Sequence, residues 1–110
     1  MEWLNYIAWF FGGAFLTNAI PHFTNGVSDR AFQSIFSRPP GVGLSSSSLN
    51  IVWGFMNLVV AWLLLARVGT FDVRVPLHAL ALGFGVLLMG LALARTFGRF
   101  HGGNDPQRSE

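Results

Sequence analysis

The sequence predicts an all-α membrane protein: three transmembrane helices with a short interfacial helix in the first loop. Three observations carry that expectation. Residues 3–21 and 49–66 contain no charged side chain, and residues 76–94 carry only His78. Each segment is close to the ~20 apolar residues that cross ~30 Å of hydrocarbon as a helix. Over the whole chain 52% of residues are hydrophobic and 11% charged, whereas soluble domains carry about 25% charge. Finally, nothing alternates with the period of a barrel strand. A chain of 110 residues cannot bury that much apolar surface in one soluble core, so the excess is expected to face the lipid bilayer or a partner. Backbone in lipid must satisfy its own hydrogen bonds, which makes the spans helices.

The first span, 3–21, opens with Trp3, Tyr6 and Trp9. These suit an aromatic belt at the membrane interface. It lacks a basic leading region and a small-residue cleavage site, so it reads as a retained helix and not as a removable signal. Its end, "NAIPHFTNG", is unusual for a plain anchor. Pro21 is expected to end or kink the helix there.

The connection from His22 to Ser48 is too long for a simple turn. Within it, "SDRAFQSIFSRPPG" reads as a short helix. Ser28 would cap it, and Asp29 would favour its first turn. Ala31, Phe32, Ile35 and Phe36 would share one face, and Pro39-Pro40-Gly41 would stop it. That apolar face suits a helix lying in the interface; an ordinary loop helix packed on the bundle is the other reading. Ser47 or Ser48 would then cap the second span. "RVGTFDVR" makes a short turn into the third, where Pro76 suits the first helical turn. Domain organisation is thus one three-helix transmembrane domain over 1–102 and a polar, disordered tail over 103–110.

All seven basic residues are Arg. They are scattered over loops and tail and form no nucleic-acid patch. Arg30, Arg38, Arg95, Arg99 and Arg108 fall on one side of a three-span chain, Arg67 and Arg74 on the other. The positive-inside rule then favours N-out, C-in.

Polar residues inside the spans are the candidate site. Asn18 and His22 are four apart on the first helix, with Asn25 just beyond. Asn50, Gly54, Asn57 and Ala61 recur on one face of the second. The two spans run antiparallel, so Asn18, His22 and Asn50 lie towards the same membrane face, with Asn57 roughly 10 Å deeper than Asn50. Either these groups hold helices together, or Asn18, His22, Asn25, Asn50 and Asn57 line a polar pocket for a small-molecule ligand. On the third span Ala79, Gly83, Gly90 and Ala94 form a small-residue stripe, and Ala81 with Gly85 a second. Such stripes let helices approach closely, and a homo-oligomer is expected to use them.

Much chemistry is missing. No carboxylate lies within a span, as a proton-coupled transporter would need. The chain has no Cys, and His22 and His78 lie at opposite membrane faces, so no metal site is expected. Ser45 to Ser48 with His22 would lack a third group to orient the imidazole. No catalytic residue or cofactor is identified. The remaining readings are a non-catalytic, self-associating subunit or small-ligand or lipid-binding protein, an oligomeric small-solute channel or transporter lined by Asn18, Asn50 and Asn57, and a membrane enzyme using His22.

The runs "LTNAIPHFTNG", "FQSIFSRPPGVGLSSSSLNIVWGFMNL" and "ARTFGRFHGGN" together resemble a group of small bacterial membrane proteins. The resemblance covers nearly the whole chain. It implies a bacterial inner-membrane location and carries no activity or residue role.

Overall fold

In a computed structural model, which describes residues 2–103, the chain forms three helices and one two-stranded hairpin. Their order is α1 (Glu2–Val27), β1 (Phe32–Gln33), β2 (Leu44–Ser45), α2 (Ser47–Ala66) and α3 (Pro76–His101). β1 and β2 pair antiparallel, with Phe32 opposite Ser45 and Gln33 opposite Leu44. α1 is the central helix: it packs against both α2 and α3, which scarcely touch each other.

This position explains the composition of α1. A helix flanked on both sides needs small residues where neighbours approach, and α1 buries Gly12, Gly13, Ala14, Ala19 and Gly26. A Cβ at Gly13 would collide with the Leu82 carbonyl oxygen, and one at Gly85 with the Phe10 carbonyl oxygen. The backbones of α1 and α3 therefore meet at reciprocal glycines, the packing mode of membrane helices. The interior is small and polar. Buried apolar residues are Trp9, Ala14, Ala19, Phe32 and Ala61, while Asn50 and Asn57 are the largest fully buried side chains. Large apolar residues such as Ile20, Val52, Leu77 and Leu91 point outward.

α2 and α3 are long and apolar enough to cross a membrane; α1 does not reach that level of mean hydropathy. Asn5, Asn18, His22 and Asn25 dilute it. Three helices thus appear where three spans were expected, but by hydropathy only two qualify.

Several local expectations need correction. Pro21 does not end α1, which continues to Val27. Proline removes only one helical N–H, and beyond it the Asn25 Nδ2 donates to the Pro21 carbonyl at 2.7 Å. Gly26 is also pinned against α2 at Ser47 and Ile51. The helix expected within residues 28–38 is absent; turns and the β1 strand stand there instead. Asp29 adopts a left-handed φ of 56°, and the serine hydroxyls compete for backbone partners. Ser34 Oγ accepts from Phe36 N at 3.1 Å, and Ser37 Oγ donates to the Ser34 carbonyl. The expected apolar face is split: Phe32 is buried, while Ile35 and Phe36 are exposed. Ser46, not Ser47 or Ser48, caps α2, accepting from Leu49 N at 3.1 Å. Pro76 does begin α3. That helix runs past Ala94 to His101 and ends on Gly102 in the left-handed region. From residue 104 onward the expected polar tail lies outside the described residues.

Candidate functional site

The antiparallel pairing of α1 with α2 turns two sequence stripes into one ladder. Asn18 Nδ2 donates to Asn57 Oδ1 at 2.9 Å. One turn further along α1, His22 Nδ1 meets Asn50 Oδ1 at 2.8 Å. Between these rungs sits Gly54, where a Cβ would come within 2.8 Å of Phe23 N. Glycine there lets the helices close enough for the rungs to form. His22, Asn50 and Asn57 are 2%, 0% and 1% exposed, so the inner rung is fully enclosed, while Asn18 of the outer rung is half-buried.

Asn50 is the junction of the site. Its Nδ2 lies 3.1 Å from the Phe32 carbonyl, 3.2 Å from that of Ser45 and 3.0 Å from that of Ser46. One amide thereby ties the hairpin to the start of α2. Three carbonyls around the nitrogen also settle the amide orientation, because the opposite flip would face oxygen with oxygen. Oδ1 must therefore be the atom facing His22. An amide oxygen only accepts, so His22 Nδ1 carries the proton, and a neutral ring then has its lone pair on Nε2.

The ring is held among aromatic edges. Phe32, Trp53 and Phe97 lie 5.7, 6.3 and 5.9 Å from the His22 centroid, all close to perpendicular. His22 also lines a cavity of about 190 Å³ with Asn18, Gln33, Ser34, Trp53, Thr96 and Phe97 among its walls. Nearby, His101 stacks on Phe32 at 5.2 Å, and its Nε2 donates to Gln33 Oε1 at 3.0 Å. The end of α3 is thus latched to β1 over the same site.

The structure brings together Asn18, His22, Asn50 and Asn57, and leaves Asn25 out. Asn25 bonds to Pro21 and faces a separate groove between α1 and α3. On the small-residue stripe of α3, Ala79 is half-buried and Gly90 approaches Thr17, but a Cβ on Gly83 would meet nothing within 4 Å. Ala94 borders the α1–α3 groove. The tight helix contact is made by Gly85 on the second stripe. Trp53, Phe97, Gln33, Ser34, Ser45 and His101 were not among the expected site residues. Only the four-residue steps from Trp53 to Asn57 and from Phe97 to His101 could have hinted at two of these pairs.

His78 belongs to the other end of the bundle. Its Nδ1 accepts from Asp72 N at 3.1 Å, and its ring lies 4.3 Å from that of Trp9. The Trp9 Nε1 donates to the Val68 carbonyl at 2.9 Å, which fixes the turn between α2 and α3. Among the described residues no three His, Cys, Asp or Glu side chains gather as a metal would need.

The outer rung provides a test of the ladder. Asn18→Leu removes one interhelical bond, and such bonds in membranes average ~0.6 kcal/mol. The expected result is a fall in unfolding free energy of that size, read by denaturant titration in mixed micelles. A loss of several times that size would mean Asn18 does more than bridge to Asn57.

Compared with known proteins, the chain matches no family model, no curated protein and no solved structure.

Proposed function

We propose that the chain is a three-span integral membrane protein of the bacterial inner membrane, oriented N-out and C-in. In this reading it is a non-catalytic, self-associating subunit that holds a small ligand or lipid group in the pocket beside His22. The observation that carries the reading is the exposure of α3. Only 6% of its apolar window is buried within the chain, and 22% of that of α2. A core helix of a soluble protein is mostly covered by its own chain, and exposed apolar surface on this scale needs lipid or protein against it. The polar side chains, meanwhile, are gathered between the helices, as the bilayer demands. The inner-membrane location rests on the motif resemblance, and the orientation on the Arg asymmetry. Self-association is supported by the open side of α3 at Gly83, where another backbone can approach.

A non-catalytic role fits the partners of the candidate nucleophiles. Ser45 shares a hydrogen bond with Ser34 at 2.6 Å, and Ser46 caps α2. An amide, not a carboxylate, orients His22. A channel lined by Asn18, Asn50 and Asn57 would have to turn outward side chains that are engaged between α1 and α2.

The test is a C-terminally tagged chain expressed in bacteria. It is expected in the membrane fraction, with a cytoplasm-dependent reporter active, and cross-linking in mild detergent should give a discrete oligomer. Recovery as a soluble protein without detergent would sink the membrane reading. A reporter active only in the periplasm would reverse the topology. A monomer that persists across detergents and lipid discs would remove self-association.

A further inference from the structure

We infer that the His22 cavity is a receptor for a neutral, hydroxyl-bearing ring of the phenol class, with His22 Nε2 as the hydrogen-bond acceptor. The inference deepens the pocket reading above and rests on it.

Three features lead to this class. The first is the tautomer. Asn50 is locked by three carbonyls, so its oxygen faces His22 and the ring proton sits on Nδ1. Nε2 is then an acceptor and not a donor. The second is the state of that lone pair. No described residue donates to Nε2, yet no sealed-off polar side-chain atom lacks a partner among the described residues. Nε2 is therefore not sealed off, on a residue only 2% exposed that lines this cavity. A buried acceptor open to a cavity favours a ligand that brings a donor.

The third feature is the wall. At about 190 Å³ the space suits a single substituted ring. Trp53, Phe97 and Ile35 supply apolar walls, and Thr96 stands at its α3 side. An ion would have no opposite charge to meet: neither Asp, Glu, Lys nor Arg lines the cavity. A fully polar solute would lose its water against aromatic edges. An aryl hydroxyl satisfies both demands. Its O–H reaches Nε2, and its ring lies against rings. A water molecule is the competing occupant, and it would exclude nothing in the test below except saturable binding.

Phenol itself is the probe, titrated into the full chain in detergent and followed by imidazole nitrogen NMR of His22. The free protein should show the Nδ1–H tautomer. Phenol should bind saturably and shift the Nε2 resonance, while toluene, the same ring without a donor, should bind at least ten times more weakly. Thr96→Phe fills the cavity from α3 and replaces neither His22 nor Asn50. It should abolish phenol binding and keep the Nδ1–H signature, which also reports that the variant has folded. The proposal is overturned by an Nε2–H tautomer in the free protein, by the absence of saturable phenol binding, or by toluene binding as tightly as phenol. The last two need no variant. Membrane insertion and self-association are read by fractionation and cross-linking, so a failure here leaves those results standing, and the reverse.

Discussion

Asn50→Leu is expected to be the most damaging single substitution in the α1–α2 interface. The leucine is close in size but makes none of the four hydrogen bonds of the amide. It leaves the His22 Nδ1 proton and the Phe32 and Ser45 carbonyls without their shared partner. Each buried polar group left unsatisfied costs about 1–3 kcal/mol. Partial relaxation of the hairpin recovers some of this, so a net loss of about 2–4 kcal/mol is expected. Equilibrium unfolding in mixed micelles measures it, beside Asn18→Leu, whose expected loss is several-fold smaller. The two asparagines look alike in sequence and differ here because Asn18 makes one bond across the interface while Asn50 joins α1, α2 and the hairpin. The hairpin should loosen as well, and the amides of 32–34 and 44–46 should exchange faster with solvent deuterons. An Asn50→Leu protein as stable as Asn18→Leu would contradict the junction described for this residue.

The second large effect is expected at Gly85. An added methyl there strikes the Phe10 carbonyl oxygen, and a main-chain atom in a helix cannot swing aside as a side chain can. Gly85→Ala must separate α1 from α3, and overpacking of this kind costs about 1–3 kcal/mol. Gly83→Ala, two residues away, adds the same methyl to open space. Within a single protomer it should leave stability unchanged or raise it slightly, since alanine favours the helix over glycine by up to about 1 kcal/mol, so the two variants are compared on the detergent-diluted monomer. The contrast between neighbouring glycines is the diagnostic. Equal effects at the two positions in a micelle unfolding experiment would mean that α3 is rotated about its axis relative to the arrangement found here.

That glycine pair marks where sequence reasoning stops. Ala79, Gly83, Gly90 and Ala94 make the longer stripe and Ala81 with Gly85 the second, and both were expected to pair protomers. Within the chain, the tight contact with α1 uses Gly85. Composition places small residues on two adjacent faces of α3, and nothing local says which face meets α1. The polar ladder was more legible. Asn18 and His22 share a face by their four-residue spacing, as do Asn50 and Asn57 by their seven-residue spacing, and burial of amides among apolar side chains demands partners. The pairing itself, Asn18 with Asn57 and His22 with Asn50, depends on the axial register of α1 against α2. So does the placing of Trp53 and Phe97 around the imidazole. The loop was read least well. Ala31, Phe32, Ile35 and Phe36 have helical spacing, yet Phe32 turns inward and its carbonyl is taken by Asn50, 18 residues away. A segment that short has no helix stability of its own, so the partner that captures its backbone sets its shape.

By itself the sequence determined the three helices, the apolar character of α2 and α3, the start of α3 at Pro76 and the presence of a polar stripe on each of the first two helices. These follow from composition and from period, which act within a few residues of each position. Only the tertiary structure decided that α1 lies between the other two, that Pro21 is carried within a longer helix, that residues 32–33 and 44–45 pair as a hairpin, and that His22 Nδ1 meets the Asn50 side-chain oxygen. Each of these rests on contacts between distant parts of the chain, where the fit of one surface on another chooses among arrangements that local propensity leaves nearly equal.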